Sequence, residues 1–213
     1  MSKELGLRER KKQQTRQLIA ETAYRLFSER GFEAVTVAEV ARTADVSEGT
    51  VFNYFPTKED LFYGQMETFE VALVEAVRTR PPGEPVLAAF RRFVLDGSGR
   101  LATEEAAGAI ATAARVIAAS PALQAREREI IARSIRALAE LLAEETGTHG
   151  DDIVPLVVAS ALMGVQRTLV EYVHANILAG RRGPELTAEV RGQAARAFAR
   201  LERGLADYDV KQR

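Results

Sequence analysis

The stretch 31-GFEAVTVAEVARTADVSEGTVFNYFPTKEDLF-62 places three helix starts in close succession, and its reading decides the fold. Thr36 followed three residues later by Glu39 is a capping box. The threonine hydroxyl takes an orphan backbone N–H, and the glutamate reaches back to the backbone of the cap. It opens a short helix over 37–44. Asp45, Val46 and Ser47 form a tight turn, and Ser47 caps the next helix, over 48–54. Pro56 ends that helix, and Thr57 with Asp60 repeats the threonine-x-x-acid start. Two short helices joined by a turn, the second opening on small and polar residues, meet the requirement of a major-groove reader. Val37, Val40, Ala41, Val46, Val51 and Phe55 fall on the inner side of the pair. Glu48, Gly49, Thr50, Phe52, Asn53 and Tyr54 fall on or near the outer side and are the candidate readers.

Outward from this pair, apolar residues recur at helical spacing almost throughout, and no alternating strand pattern lasts. The chain therefore reads as all-α, with about nine helices. A first helix over 12–30 packs Ile19, Ala23, Leu26 and Phe27 inward, with Gly31 at its end. After Thr57, the stripe Phe62, Met66, Phe69 and Leu73 predicts one long fourth helix to about residue 77, a candidate lever between domains. The run Arg78-Thr-Arg-Pro-Pro-Gly83 cannot continue a helix and marks the expected boundary. Residues 1–77 then form an N-terminal helix-turn-helix DNA-binding domain with a basic arm. Residues 84–207 form a second helical domain, with helices expected over 85–97, 103–119, 121–145, 151–179 and 184–205.

Composition narrows the function. The 213 residues are 46% hydrophobic, enough for a packed core, and carry a net charge of −1. Charge is uneven: Lys3, Arg8, Arg10, Lys11, Lys12 and Arg16 face only Glu4 and Glu9 within residues 1–16, six minus two, or +4. This stretch is either a solvated terminus or an arm that contacts phosphates. There is no cysteine, and there are two histidines. Thiolate metal sites, disulfides and a cysteine nucleophile are thereby excluded. With no glycine-rich phosphate loop or metal-ligand cluster, neither an enzyme nor a cofactor is expected. No signal peptide and no run of about 18 uncharged apolar residues is present, so a cytoplasmic protein without a membrane partner is expected.

The Gly31–Phe62 stretch and the helical region after it resemble the tetracycline-repressor (TetR) family of bacterial transcriptional regulators. The resemblance implies phosphate contacts at Thr36, Ser47, Tyr54 and Lys58, and base contacts at Glu48, Gly49, Thr50 and Phe52. Lys58, as a point charge beside a helix start, suits phosphate, and otherwise it balances Glu59 and Asp60 in solvent. Gly49 allows close approach to DNA, and Thr50 offers a methyl and a hydroxyl to a base. Phe52 departs from the family's common tyrosine and keeps only apolar contact. Glu48 departs from a neutral or basic residue. It either accepts from a cytosine amino group or stabilises the helix start.

The resemblance further implies a repressor that binds an inverted-repeat duplex operator as a homodimer, with residues 84–207 as its C-terminal helical ligand-binding and dimerisation domain, and that answers a small-molecule inducer, for which the apolar interior suggests a hydrophobic one. The last two helices would pair with their copies through Leu162, Val165, Leu169, Val173, Phe198, Leu201 and Leu205, or else close the subunit's own core. Ser160, Gly164 and Thr168 form a small-residue track beside the first of these stripes. Phe90, Ile110 and Ile135 are candidate cavity residues. Arg115, Gln166, Arg167, Glu171 and His174 are the polar candidates, the last three sharing one helical face as ligand contacts or as a solvated cluster. His149 is expected in an exposed turn. The alternative is a helical small-molecule-binding or scaffold protein without DNA function.

Overall fold

The computed structural model describes residues 6–64, 66–97, 103–148 and 151–205, with side chains undescribed at 7, 66–70 and 205. Lys3, Glu4 and His149 lie outside the described residues. Ten helices and no strand occur among the described residues: α1 (Leu7–Arg30), α2 (Val37–Thr43), α3 (Glu48–Tyr54), α4 (Lys58–Tyr63), α5 (Met66–Arg78), α6 (Val86–Gly97), α7 (Glu104–Ala118), α8 (Pro121–Thr146), α9 (Val154–Leu178) and α10 (Gly183–Leu205). The chain divides into two compact units, Met1–Thr68 with Val116–Arg126, and Phe69–Arg115 with Glu127–Arg213.

In the first unit, the helix starts form as their sequence dictates. The Glu39 amide donates to Thr36 Oγ1 and the Thr36 amide to Glu39 Oε2, each at 3.2 Å. Arg30 first, and the Thr36 backbone second, hold the Glu39 carboxyl below its ordinary pKa. Asp60 and Thr57 make the same reciprocal pair at the start of α4. Gly31 closes α1 at φ +85°, a backbone that L side chains rarely adopt, and its amide donates to Phe27 O at 2.9 Å. Ile19, Ala23, Phe27, Val35, Val40, Val51, Phe55 and Leu61 fill the interior. The turn between α2 and α3 needs Asp45 in a left-handed conformation, φ 53°, which aspartate tolerates better than most residues.

The expected long fourth helix is broken. α4 stops at Tyr63 and α5 begins at Met66, with Gly64 between them. A Cβ at Gly64 would lie 2.5 Å from Phe55 Cε1 and 2.9 Å from the Asp60 carbonyl oxygen, so only glycine lets the backbone approach that ring. Phe62 and Leu73 of the predicted stripe are buried, whereas the side chains of Met66 and Phe69 lie outside the described residues. Gly64→Ala is expected to overpack this spot and cost about 1–3 kcal/mol of unit stability, read by urea unfolding. Unchanged stability would mean that Phe55 can yield.

The second feature unseen in the sequence is the corner between α7 and α8. Residues Val116–Arg126 belong to the first unit, and α8 therefore starts in one unit and continues in the other. Tyr63 Oη donates to Leu123 O at 3.1 Å, and Ser120 Oγ to Glu33 Oε1 at 2.7 Å. Arg126 pairs with Asp60 Oδ1 at 2.6 Å. Gln124 Nε2 ties the corner itself by donating to the carbonyls of Ile117 and Ala118.

In the second unit, Leu73, Val77, Val86, Phe90, Leu138, Leu142, Val158, Leu162 and Phe198 make the main core. The Pro81-Pro82-Gly83 loop does interrupt the helix, but it lies inside this unit rather than between units. Arg80 anchors it. Its fully buried guanidinium donates to Val77 O and Glu84 O, and pairs with Glu145 at 2.7 Å. α9 has the length and composition to cross a membrane, with a mean hydropathy of 1.3, yet it carries Arg167 and Glu171 and gives its inward face to this core.

Candidate nucleic-acid interface

The periodicity of α3 sorts its residues. Val51 and Phe55, one helical turn apart, are buried and fix the helix to the unit. Glu48, Gly49, Phe52 and Asn53 are exposed, while Thr50 and Tyr54 are half-buried at the edges. Phe52 keeps 46% of its surface in solvent, a large exposed apolar side chain. Ser47 Oγ accepts from the Thr50 amide at 3.0 Å and shares a hydrogen bond with Thr50 Oγ1 at 2.8 Å. Thr36 and Ser47, both exposed, therefore stand at the starts of α2 and α3 and already serve as caps.

Lys58 stands at the start of α4 in a seat that its spacing does not show. Its ammonium donates to Phe32 O at 2.6 Å and lies 4.2 Å from the centre of the Phe32 ring and 5.9 Å from that of Phe27. It is half-buried over an aromatic floor, a stable seat for a cation, rather than standing free in solvent or balancing Glu59 and Asp60. Arg16, which sequence reasoning left in the basic arm, stacks over the Phe55 ring at 4.8 Å and donates to Gly64 O at 3.3 Å. It thereby braces the end of α3.

Gly49 is open. An added Cβ would meet only Ser47 Oγ, at 3.8 Å. Gly49→Ala should leave the fold intact or stabilise it by about 0.5–1 kcal/mol, since glycine is a poor helix former. A fall in affinity for duplex DNA of about tenfold, measured by fluorescence anisotropy beside a thermal melt, would show that the glycine serves DNA rather than folding. Equal affinity would remove Gly49 from the interface.

This geometry agrees with comparisons to known proteins. Residues 19–63 match the description of bacterial regulatory proteins of the tetR family, and residues 84–206 match the MftR C-terminal domain, more than half of the chain. TcmR of Streptomyces glaucescens, an HTH-type transcriptional regulator, is 30% identical over 173 residues, covering 77% of this chain and 75% of TcmR. The chain belongs to the TetR family of bacterial regulatory proteins. MftR of Mycobacterium tuberculosis is 26% identical over 170 residues, with 76% and 81% covered. The solved SmeT–triclosan complex shares the fold at a TM-score of 0.58 and 16% identity, covering 89% of this chain and 90% of that one. The chain is thus a DNA-binding transcriptional regulator of the TetR family and not an enzyme, and the reading as a scaffold without DNA function falls away.

The helical unit of this TetR-family chain distributes the remaining candidates differently from expectation. Among the residues expected to face a second subunit, Leu162, Leu169 and Phe198 are buried in the subunit's own core. Phe198 makes an edge-to-face pair with Phe90, with ring centres 6.1 Å apart. Val165 and Leu201 pack against the same core, and Val173 against a smaller cluster with Ile177, Leu186 and Val190. Leu205 has no described side chain. The exposed sides of these two helices carry small residues, Ser160 and Thr168 on α9 and Ala188, Ala195 and Ala199 on α10, beside charged ones, Arg167 and Glu171 on α9 and Arg191, Arg196 and Arg200 on α10, with Val157 and Leu178 exposed on α9 as well.

The ligand candidates do not form one group. Phe90 and Ile135 belong to the main core, and Ile110 to the smaller cluster. Arg115 is exposed and donates to Thr112. Arg167 and Glu171 form a solvent-exposed pair at 3.7 Å, the solvated-cluster reading. His174, one turn further, is half-buried, and burial pushes its imidazole below the ordinary value, with Glu171 opposing. Gln166 Oε1 is buried and has no hydrogen-bond partner. Glu127, at the start of the second unit's part of α8, has its carboxyl pushed up by burial and then by Glu171.

Proposed function

We propose that this regulator represses transcription by occupying an inverted-repeat operator as a homodimer and leaves it when a small apolar molecule enters the helical unit. The observation that carries the reading is the surface of α3: Glu48, Gly49, Phe52 and Asn53 stand open while Val51 and Phe55 hold the helix in place. In that arrangement Glu48, Gly49, Thr50, Phe52 and Asn53 meet base edges, and Thr36, Ser47, Tyr54 and Lys58 meet phosphates. Lys58 spends one of its three donors on Phe32 O, which leaves two for a phosphate.

Dimerisation uses the exposed small residues of α9 and α10 rather than the apolar stripes read from the sequence. Small side chains let two helices from each subunit approach closely as a four-helix bundle. Two-fold symmetry then demands half-sites in inverted orientation. For the inducer, the buried acceptor of Gln166 and the half-buried His174 are the polar contacts, among apolar neighbours such as Ile135 and Ile110. SmeT, the neighbour in fold, is solved with triclosan. With the fourth helix broken, the start of α8 replaces it as the lever. An inducer acts by preferring a conformation in which the corner has shifted.

Native mass spectrometry of the chain with an operator duplex tests the assembly. Two chains per duplex are expected, and none should remain bound when one half-site is scrambled. One chain bound per half-site, independent of the other, would contradict the dimer.

A further inference from the structure

α3 and α4 are seven and six residues long, and neither carries a basic residue in its last turn. Orphan carbonyls and the negative end of the helix dipole favour a cation there. Arg16 of α1 brings one guanidinium to both ends. Its central carbon lies 4.8 Å from the centre of the Phe55 ring, and Phe55 caps α3. One of its nitrogens donates at 3.3 Å to the carbonyl of Gly64, which caps α4. The third side of this triangle is the approach of Gly64 to the Cδ1–Cε1 edge of the same ring, too close for a Cβ. The ring is fully buried, so it moves only with its neighbours.

On one side of the triangle stand the open residues of α3. Phe52 and Asn53 precede Phe55 by three and two positions, and the Phe55 amide donates to Val51 O at 2.9 Å, so ring and open residues share one hydrogen-bonded turn. On the other side stands α4. Arg126 holds it at Asp60, and the Leu123 carbonyl holds it at Tyr63, the residue before Gly64. A displacement of that hold reaches Gly64 within a single turn of helix, and Gly64 passes it to the ring. Contiguous packed groups of this kind are the physical means by which one place in a protein biases another.

We propose that Arg16 is a positioning residue for base reading: by clamping the Phe55 ring to Gly64, it makes the pose of α3 follow that of α4. The inference rests on the reading of α3 as the DNA reader. It gives the lever at the start of α8 a path to Phe52 and Asn53, through Tyr63, Gly64 and Phe55.

The test uses the full chain, an operator selected from random duplexes, and the variants R16M, R16K and Y63F, each checked by a thermal melt. Methionine keeps an apolar stem beside the ring and removes the cation, whereas lysine keeps a cation without the planar fork. In R16M the preference for the operator over duplexes with one base pair changed in a half-site should shrink by about tenfold, comparable with the loss of one good base contact. The slope of log affinity against log salt should stay at the wild-type value, and R16K should recover most of the preference. Y63F, which loses the bond to Leu123 O, should lower the preference in the wild-type background but not further in R16M, because both act through Gly64. A slope that falls by about 0.9 with the preference kept would make Arg16 a phosphate contact and overturn the proposal. A lower melting temperature with the preference kept would make it a brace of the fold alone, and overturns the proposal equally. Additive effects of Y63F and R16M overturn the path through α4. A wild-type chain with no preference among duplexes overturns the reading of α3 itself, before any variant is compared.

Discussion

Arg126→Met is expected to destabilise the DNA-binding unit by about 3 kcal/mol, one of the two largest effects of any single substitution considered. Asp60 has only 8% of its side chain exposed, and its carboxylate divides between two tasks. One oxygen accepts from the Thr57 amide at the start of α4, and the other takes the Arg126 guanidinium. Removing the arginine leaves a charge almost shut off from water with a single neutral donor, and breaking one side of such a pair costs several kcal/mol. The double variant Asp60→Asn, Arg126→Met should recover most of the loss, because an amide can still accept from Thr57 without carrying charge. Urea unfolding of both variants provides the check. A double variant no more stable than the single one would mean that Arg126 acts through packing.

The second large effect separates core from interface. Phe198→Ala should cost the helical unit about 3–5 kcal/mol, since a fully buried ring paired with Phe90 leaves a cavity that its neighbours fill only in part. Were Phe198 an interface residue, the loss would vary with protein concentration; as a core residue it should not. Ala195→Arg, on the exposed side of α10, should behave in the opposite way. The folded chain keeps its helical content and runs as a monomer in sedimentation, and operator affinity falls by a factor of about 100 or more as the second reading head is lost. A dimeric Ala195→Arg with unchanged affinity would move the interface elsewhere.

These two substitutions also mark where the sequence is readable. Caps are local, and Thr36, Ser47 and Thr57 announce their helices because each bonds to an amide three residues on. The open side of α3 follows from a period of 3.6 once Val51 and Phe55 are taken as inward. The need for glycine at position 64 is not local: the Phe55 ring, nine residues back, occupies the space a side chain would need. The corner at Val116–Arg126 depends on Asp60, Tyr63 and Glu33, far away in the chain, and no periodicity encodes such partners. Likewise an apolar stripe on α9 or α10 has the same spacing whether it meets its own subunit or a copy. Leu162 and Phe198 were therefore legible as packing residues but not as core residues of this subunit. Lys58 was legible as a cation at a helix start; its aromatic seat on Phe32 and Phe27 was not.

Selection from a random duplex pool, with sequencing of the molecules retained by purified protein, tests the central claim most directly. The account predicts an inverted repeat whose half-sites lie about one helical turn or more apart, and its recovery would define the reader and the dimer together. A pool that emerges without enrichment at moderate salt would contradict it, because the open face of α3 would then read no DNA.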